Sequence, residues 1–417
     1  MRSLLGVLFG VVGLAGAAEP VCEIWDVPES GIVRLSVPKS AHGDGLLAVR
    51  IDGQPVTCQE VRGADLCVVR LSPELVAKAR GAALRVEMAR EGGASYPGRP
   101  APALVVSNAA CAVHFDAGKM GGLPHRIDWA DGKSCDRVSW YDRVYAAGND
   151  QGLAGVWMLR NAPKGEVLDF GTGPLFRHVR TSGEFAMGRG RTCDARPRAT
   201  YDWIFPNDAP GWVMVRMSFA EANPGTWDEL QAGILEFPFG TFAQSVVGGG
   251  KSVELQDVPS TGSSVRRTSR SWSAVVDGRD FAAVYSGETA CFVDTNRRIV
   301  YLHASNGSSY GAPWSGSPVT RTAFFRFGAA DRPAQALDAE PPLRAPGGLR
   351  RLDLFAAVDK VRPGEDVTTV REGALEVRVG VLGGARAEIR SVRVDGALVA
   401  FGPQRLFTLG VENVQTH

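Results

Sequence analysis

The sequence predicts an all-β protein, in which a large central antiparallel β-supersandwich is flanked by two small β-sandwich domains. Its 50 glycines and 25 prolines exceed the usual share of these residues, and this excess indicates many tight turns between short elements. Apolar and polar residues alternate over short runs, a period of two that is typical of strands with one buried face. We find no long run with apolar residues at helical spacing.

The first 18 residues have the pattern of a secretory signal peptide. Arg2 supplies the positive charge, residues 4–14 are apolar, and the small residues 15–18 offer a cleavage site. The apolar run is shorter than the roughly 20 residues that a membrane helix needs, and no later run is long and apolar enough, so no transmembrane segment is expected. The predicted location is secreted or periplasmic.

Export to an oxidising compartment favours disulfide bonds among the seven cysteines. Cys58 and Cys67 flank a turn at residues 63–65, so a disulfide that closes this hairpin is the first pairing we expect. An odd count leaves one cysteine over. The other pairings stay open, and two are guesses: Cys135 with Cys193 and Cys111 with Cys291.

Residues 19–96 are predicted to form the N-terminal β-sandwich. Three runs in it have strand-like alternation: 31–37, 46–51 and 83–88. Asp52-Gly53 is a strong hairpin signal, and residues 71–80 favour one or two helical turns. The Gly- and Pro-rich stretch 92–102 is typical of a linker.

Residues 104–330 are the predicted supersandwich. Strand-like runs recur through this block, separated by Gly, Pro, Asn and Asp: 103–106, 111–115, 212–219, 272–276, 299–302 and 322–327. An antiparallel block of this length exceeds one Ig-like domain, and this indicates two large stacked sheets. Four prolines between 331 and 348 indicate a second linker, and residues 349–417 are predicted to form a compact Ig-like β-sandwich.

The charge balance narrows the range of partners. Lys and Arg total 46 against 45 Asp and Glu, which leaves a formal net charge of +1. A balance this close to zero gives no electrostatic support for a dedicated nucleic-acid binder, so no nucleic-acid partner is expected. Arginine dominates over lysine, and its guanidinium suits bidentate binding of carboxylates or sulfates.

The opening of the central block resembles a known structural group. Residues 107–129, SNAACAVHFDAGKMGGLPHRIDW, contain a strand ending in Phe115-Asp116, a Gly121-Gly122 turn and a return strand. Together with the runs 173–180 and 272–278, this order resembles exported bacterial proteins with a galactose-mutarotase-like β-supersandwich. That group includes polysaccharide lyases, epimerases and glycoside hydrolase-associated domains. The resemblance implies saccharide binding across a concave sheet face, and it assigns no catalytic residue.

The candidate catalytic residues lie in the central block. β-Elimination on a uronide needs a group that neutralises the carboxylate, a base for the C5 proton and an acid for the leaving oxygen. Arg143, His178 and Tyr201 could supply these without a metal. Three further candidates complete the set: His114, His125 and Asp202. Each of these histidines could instead be a structural hydrogen-bonding group, and Tyr-Asp-Arg clusters also occur as structural pairs at strand ends.

Hydrolysis is the alternative chemistry, and it needs two carboxylates about 5 to 10 Å apart. Four candidates are available for such a pair: Asp202, Asp228, Glu229 and Glu236. Separation along the chain does not give their distance in a β-fold.

The candidate substrate-binding residues are Arg180, Trp140, Tyr310, Trp314 and His303. Arg180 is expected on the same strand face as His178, where the pair could bind a uronate or sulfate. The three aromatic residues lie in turn-rich stretches and are expected at a rim, where they could stack on sugar rings. Residues 305–317 contain two of these rings and are the expected mobile lid.

The sequence thus predicts a secreted carbohydrate-active protein that acts on a polysaccharide or oligosaccharide as a lyase or glycoside hydrolase. The alternative is a non-catalytic glycan-binding or cell-envelope accessory module, because no catalytic constellation can be assigned from spacing alone. No cofactor and no metal site are expected, and a structural Ca²⁺ is the one exception that the composition leaves open.

Overall fold

The structure of the protein is a computed structural model. It describes residues 22–24, 27, 30–37, 41–79, 84–92, 98–148, 154–223, 227–248, 253–269, 271–286, 289–304, 312–339 and 341–343. It also describes the backbone of five strands between residues 367 and 408. The predicted signal peptide, Tyr310 and residues 349–366 of the predicted C-terminal domain lie outside the described residues.

The N-terminal part consists of two small antiparallel sheets around a core of their own. Its elements are β1 (Cys22–Ile24), β2 (Ile32–Ser36), β3 (Leu46–Ile51), β4 (Gln54–Pro55), β5 (Thr57–Val61), β6 (Leu66–Arg70), α1 (Pro73–Ala79) and β7 (Leu84–Glu91). One sheet has the order β1-β7-β3-β4 and the other β2-β6-β5. Alternate residues such as Val33, Val49 and Val86 fill the space between them. The one or two helical turns predicted at 71–80 are confirmed, since α1 lies within this stretch.

The central part begins with short strands and continues with longer ones. The first are β8 (Arg99–Pro100), β9 (Ala103–Ser107), β10 (Cys111–Asp116), β11 (Pro124–Trp129), β12 (Ser134–Cys135), β13 (Ser139–Trp140), β14 (Arg143–Ala146), β15 (Gly155–Met158), β16 (Glu166–Thr172), β17 (Phe176–Glu184), β18 (Pro197–Pro206) and β19 (Trp212–Glu221). The others are β20 (Trp227–Gln231), β21 (Ile234–Pro238), β22 (Gln244–Val247), β23 (Gln256–Asp257), β24 (Val265–Ser269), β25 (Trp272–Asp277), β26 (Asp280–Tyr285), β27 (Thr289–Asp294), β28 (Ile299–His303), β29 (Ala312–Trp314) and β30 (Val319–Ala329). Single 3-10 turns lie at Met120–Gly122, Leu159–Asn161 and Gly188–Gly190, and the short helix α2 spans Pro333–Ala336.

Ten of these strands form one layer of the central sandwich. Their order is β23-β22-β25-β26-β30-β19-β18-β17-β16-β8, and the strand pairs are antiparallel. The opposing layer consists of three smaller sheets, with the orders β12-β11-β10-β9, β13-β21-β28-β27-β24 and β15-β14-β20-β29. The all-β fold class is therefore confirmed, and a sandwich of two broad antiparallel layers forms its centre.

The main core lies between these two layers and is rich in aromatic side chains. Trp140 of the opposing layer packs edge-on against Trp203 and Phe325 of the ten-stranded sheet, with ring centroids 5.1 and 5.2 Å apart. Trp227 and Trp314, neighbours across β20 and β29, are buried in the same core. Such rings bury large apolar areas, which is the main stabilising contribution to a sandwich of this size.

The outer face of the ten-stranded sheet is covered in two places. The N-terminal β2-β6-β5 sheet packs there against Phe176, Ile204 and Met214. The side-chain amide of Gln59 accepts from the backbone N–H groups of Leu175 and Phe176 and donates to the Phe176 carbonyl, at 2.9, 3.0 and 2.8 Å. The segment after β30 covers another part of this face, where Leu337 is buried among apolar side chains.

The C-terminal strands form one antiparallel sheet. They are β31 (Val367–Glu372), β32 (Leu375–Val381), β33 (Arg386–Val394), β34 (Ala397–Val399) and β35 (Leu406–Thr408), with the order β31-β32-β33-β34 and β35 also paired with β33. No helix in the described part of the chain is long and apolar enough to cross a membrane.

The predicted disulfide bonds are wrong for the six cysteines whose side chains the structure describes: Cys58, Cys67, Cys111, Cys135, Cys193 and Cys291. Cys58 lies opposite Val69 and Cys67 opposite Glu60, so the first predicted pair is offset by two residues across β5 and β6. The Cys58 thiol instead donates to the Leu47 carbonyl at 3.2 Å. Cys135, Cys193, Cys111 and Cys291 are likewise free thiols in the structure.

Candidate functional site

Strand alternation places a row of functional side chains on the outer face of the opposing layer. The register pairs Ser139 with Glu236, Glu236 with Tyr301, and Tyr301 with Phe292. The residues between them, such as Leu235 and Leu302, point into the core. We call this outer surface the Tyr141 face and define it by eight residues: Tyr141, Arg143, Arg160, Glu229, Glu236, Arg297, Tyr301 and His303.

Tyr141 lies at the centre of this face and is surrounded by guanidinium groups. Arg143 and Arg297 both donate from Nη1 to the Tyr141 hydroxyl oxygen, at 3.3 and 3.2 Å. The guanidinium carbons of Arg143, Arg160 and Arg297 lie 5.2, 5.0 and 5.9 Å from the centre of the Tyr141 ring. Tyr301 meets the same ring edge-on at 5.6 Å. Three cations therefore converge on one aromatic side chain.

Two carboxylates flank Tyr141, and each is paired with one of these arginines. Arg143 donates from Nη2 to Glu229 at 2.8 Å, and Arg160 donates from Nη1 to Glu236. The Glu236 side chain is 5% exposed, and its Oε1 has no hydrogen-bond partner among the described residues. Burial raises the pKa of Glu236 above its ordinary value, against the opposing charge of Arg160.

His303 follows Tyr301 by two residues and shares its face. Its Nε2 is buried, and the described residues provide no hydrogen-bond partner for this atom. Burial, together with the charges of Arg266 and Arg143, lowers the pKa of His303 to about 3, so the imidazole is neutral at physiological pH. Ile234 lies opposite His303, so Glu236, two residues further along β21, is the diagonal neighbour of His303. Diagonal neighbours on paired strands are typically about 7–8 Å apart.

Asp142 supports the Tyr141 face from the core side. This buried carboxylate accepts the Tyr201 hydroxyl proton at 2.5 Å and the Ile234 backbone N–H at 2.9 Å. Burial raises the pKa of Asp142 to about 6 and that of Tyr201 well above its ordinary value. The Asp142–Tyr201 pair therefore connects the Tyr141 segment to the ten-stranded sheet and to the start of β21.

Three predicted residues, His178, Arg180 and Asp202, meet in a buried cluster on the other side of the molecule. The His178 Nε2 lies 3.0 Å from Asp202 Oδ1, and Arg180 Nε donates to the same oxygen at 2.8 Å. Arg180 also donates to the Arg62 carbonyl, and Phe170 stacks on His178 with ring centroids 4.4 Å apart. The expected His178–Arg180 pairing on one face is therefore seen, but the N-terminal sheet covers it.

This cluster has the electrostatics of a structural site. Burial lowers the pKa of His178, although the Asp202 carboxylate opposes the shift. Burial alone would raise the pKa of Asp202, but the hydrogen bond from His178 and the charge of Arg180 hold it below its usual range. At 1% exposure, His178 is not accessible to a uronate or sulfate, which corrects the expectation that this pair binds substrate.

Arg143, His178 and Tyr201 do not converge, contrary to the catalytic set expected from the sequence. His178 lies opposite Ile204 on the outer face of the ten-stranded sheet, whereas Tyr201 lies opposite Thr181 on the inner face. Tyr201 and Asp202 are consecutive residues of one strand and therefore also point to opposite faces. Arg143 lies in the opposing layer, on its outward side. Of the eleven predicted catalytic and substrate-binding residues, Arg143 and His303 belong to the Tyr141 face. Two of the four carboxylates considered for hydrolysis, Glu229 and Glu236, belong to it as well.

The predicted residues His114 and His125 lie together on the β9–β12 sheet, apart from the strands of the Tyr141 face. Their rings are 6.4 Å apart. His114 Nε2 lies 2.7 Å from an Asp128 oxygen, and Arg126 donates to the other oxygen of that carboxylate at 2.7 Å. Burial and the charge of Lys119 lower the pKa of His125. This partly exposed ion-pair group involves neither Glu236 nor His303.

The predicted aromatic rim is corrected for two of its three members. Trp140 is 1% and Trp314 is 7% exposed, because both point into the core between the layers. The Trp314 indole N–H donates to the Ser317 carbonyl at 2.8 Å. The third member, Tyr310, and most of the predicted lid lie outside the described residues.

Sequence reasoning missed Arg160, Arg297 and Tyr301 as members of the site. Arg160 belongs to a 3-10 turn and Arg297 to the turn between β27 and β28, and neither position has a periodic signal. Tyr301 is two residues from His303, so strand alternation could have placed both on one face. No group of three His, Cys, Asp or Glu side chains that could hold a metal ion is found within the described ranges.

Comparisons with known proteins give no family. No protein-family model and no curated protein sequence matches this chain. An α-mannosidase structure from Enterococcus faecalis V583 is similar with a TM-score of 0.42 and 10% identity, over 92% of this chain and 48% of that one. An α-galactosidase from Lactobacillus brevis has a TM-score of 0.32 and 9% identity, over 55% and 39%. A protein described as an aldose 1-epimerase from Klebsiella pneumoniae has a TM-score of 0.32 and 8% identity, over 77% and 99%.

Proposed function

We propose that this chain is an exported carbohydrate-active protein that binds an oligosaccharide or polysaccharide on the Tyr141 face and cleaves it there. One observation carries the proposal. Glu236 and His303 project from neighbouring strands onto the same face, and Glu236 Oε1 and His303 Nε2 have no partner within the described part of the chain. Buried polar atoms are normally satisfied, so an unsatisfied pair indicates a place where a ligand supplies the missing contacts.

The protonation states of the two groups suit cleavage of a glycosidic bond. The raised pKa of Glu236 keeps its carboxyl protonated at a higher pH than an ordinary glutamate, so it can donate a proton. Neutral His303 has an unprotonated nitrogen, and an anionic ligand beside it would raise its low pKa and make it a stronger base. In β-elimination, His303 would remove the C5 proton, a double bond would form between C4 and C5 as the C4–O bond breaks, and Glu236 would protonate the leaving oxygen. Hydrolysis would instead use Glu236 as the acid together with a second carboxylate, for which Glu229 is the candidate on this face. The two reactions give different products, so the products decide between lyase and hydrolase.

The experiment is a polysaccharide panel read in two channels, new reducing ends and the ultraviolet absorbance of unsaturated uronides. Glu236→Gln is expected to lower the rate of either reaction about 100-fold or more, the range for loss of a general acid or base. His303→Asn is expected to lower the rate of β-elimination to a similar degree. His114→Asn is the matched control, because this histidine lies in the ion-pair group of the β9–β12 sheet, and it should retain full activity. Absence of turnover and of binding across the panel would contradict the proposal.

A non-catalytic glycan-binding or envelope accessory role is the second candidate. It is favoured by the ion pairs of Arg143 with Glu229 and of Arg160 with Glu236, which hold both carboxylates in place. Glycan binding without new reducing ends and without unsaturated uronides would support this non-catalytic role over cleavage. Secretion or release to the periplasm is part of the proposal, and cell fractionation with N-terminal sequencing of the mature protein tests it. We also propose that no cofactor takes part, so activity should survive treatment with EDTA. If a structural Ca²⁺ is bound, EDTA should lower the unfolding temperature of the protein.

A further inference from the structure

We propose that the Tyr141 face contains a binding subsite for an anionic group of the saccharide, a carboxylate or a sulfate, formed by Arg297, Arg143 and the Tyr141 hydroxyl. The inference rests on the proposed saccharide binding at this face and adds the charge of the ligand to it. It also replaces the anion-binding role expected for His178 and Arg180, because His178 is buried and Arg180 donates to Asp202 and to the Arg62 carbonyl.

The geometry of the two arginines is the first argument. They come from separate elements, Arg143 from β14 and Arg297 from the turn between β27 and β28, yet both donate to the same phenol oxygen. A guanidinium has five N–H donors. Arg143 uses two of them, on Tyr141 and Glu229, and Arg297 donates to Tyr141 and Tyr301. The buried Nε of Arg143 has no acceptor in the described ranges. Arg297 is 59% exposed, and its Nε is 3.8 Å from the Asp294 carboxylate, longer than a hydrogen bond.

The charge balance of the face is the second argument. The described cations of this face and of the adjoining strands β24 and β27 are Arg143, Arg160, Arg266 and Arg297, and the described carboxylates are Glu229, Glu236 and Asp294. His303 adds no charge, because its pKa lies well below neutral pH. Cations brought together by Tyr141 repel one another, and a bound anion removes this repulsion.

Arg160 differs from the other two arginines. Its Nη1 donates to both Ser139 and Glu236, so its donors are directed toward the strands. Arg297 and Arg143 are therefore the pair that can each donate one N–H to the two oxygens of a carboxylate or sulfate. Such charge-assisted contacts recognise the anion strongly and specifically.

The test measures binding of uronic-acid and sulfated oligosaccharides, each beside its carboxyl-reduced or desulfated counterpart, by calorimetric titration of the full chain. The carboxyl-reduced or desulfated oligosaccharide is expected to bind about 10- to 100-fold more weakly than the charged one, the range for loss of hydrogen bonds to a charged group. Arg297→Gln should weaken binding of the anionic form to a similar degree and leave the neutral form unchanged. Arg298→Gln is the matched control, because this neighbouring arginine stacks on Phe239 at 5.4 Å and not on Tyr141.

The outcomes separate the two proposals. Equal binding of the charged and neutral forms, or equal effects of Arg297→Gln on both, overturns the anionic subsite and leaves saccharide binding intact. Failure of every glycan to bind, charged or neutral, overturns the proposed function and the subsite with it. Loss on desulfation but not on carboxyl reduction identifies the anion as a sulfate, and the reverse identifies a uronate. An unchanged unfolding temperature of Arg297→Gln shows that any lost affinity does not come from misfolding.

Discussion

Replacing Asp142 with asparagine should change how the stability of the protein depends on pH. Burial raises the pKa of Asp142 from 3.8 to about 6 in the folded protein, a difference of about 3 kcal/mol at 1.36 kcal/mol per pKa unit. A raised folded pKa means that the folded state binds the proton more tightly than the unfolded state. The stabilisation is therefore complete below about pH 4 and is lost as the pH rises through about 6. Asparagine has nearly the same shape and no charge to bury, so Asp142→Asn should not show this loss.

The assay is urea unfolding of the wild type and Asp142→Asn at several pH values between 4 and 8. The difference in the free energy of unfolding should move in favour of the variant by about 2.4 kcal/mol between pH 4 and pH 8. Asp52→Asn is the control, because hydrogen bonds from Lys78 and from the backbone of Arg85 lower the pKa of Asp52, against an opposing effect of burial. Asp52 is thus ionised throughout the upper part of the range. Parallel profiles for wild type and Asp142→Asn would refute the reasoning.

Three further predictions concern packing and covalent structure. Gln59→Ala removes three hydrogen bonds to the β16–β17 hairpin and should lower the free energy of unfolding by about 1–3 kcal/mol in urea, while an unchanged midpoint would contradict the role of this amide. Trp140→Ala opens a cavity in the aromatic core and should cost about 3–5 kcal/mol by the same measurement, whereas a rim residue would cost far less. Burial raises the pKa of the Cys111 and Cys291 thiols to about 12, so both should resist alkylation at pH 8 while the protein is folded. Once the protein is unfolded, both should react without addition of a reductant. Alkylation that requires reductant would reveal a disulfide.

The fold class followed from the sequence because local patterns carry it. Alternation and turn residues predict strands, and strands such as Leu84–Glu91 and Cys111–Asp116 show this alternation in their burial. The order of strands within the sheets could not be predicted in the same way. The neighbours of β21 are β13 and β28, which lie far from it along the chain. The domain boundaries stay a prediction.

The site was harder to predict than the fold, because it depends on the order and register of strands that lie far apart along the chain. Its carboxylate and imidazole come from β21 and β28, and only the register shows that Glu236 and His303 are diagonal neighbours. One error was avoidable from the sequence. Tyr201 and Asp202 follow each other in a strand, so they could not share one face, whatever the register. The burial of His178 could not be predicted from the sequence, because it depends on the N-terminal sheet that covers this strand.

The disulfide prediction failed for a physical reason that sequence spacing hides. A hairpin disulfide needs two cysteines directly opposite each other, and the register of β5 and β6 offsets Cys58 from Cys67. The described core is instead held by packing and by buried polar pairs such as Tyr201 with Asp142.

The alternation of Tyr141, Asp142 and Arg143 separates the tasks of three consecutive residues. The middle residue fixes the backbone from the core side, and the outer two belong to the Tyr141 face, where Tyr141 is 9% and the Arg143 side chain 14% exposed. Directed evolution could therefore randomise positions 141, 143 and 297 and leave the anchoring carboxylate untouched. A library of this kind would retune ligand preference on an unaltered scaffold, since the outward side chains do not fill the interior that holds the two layers together.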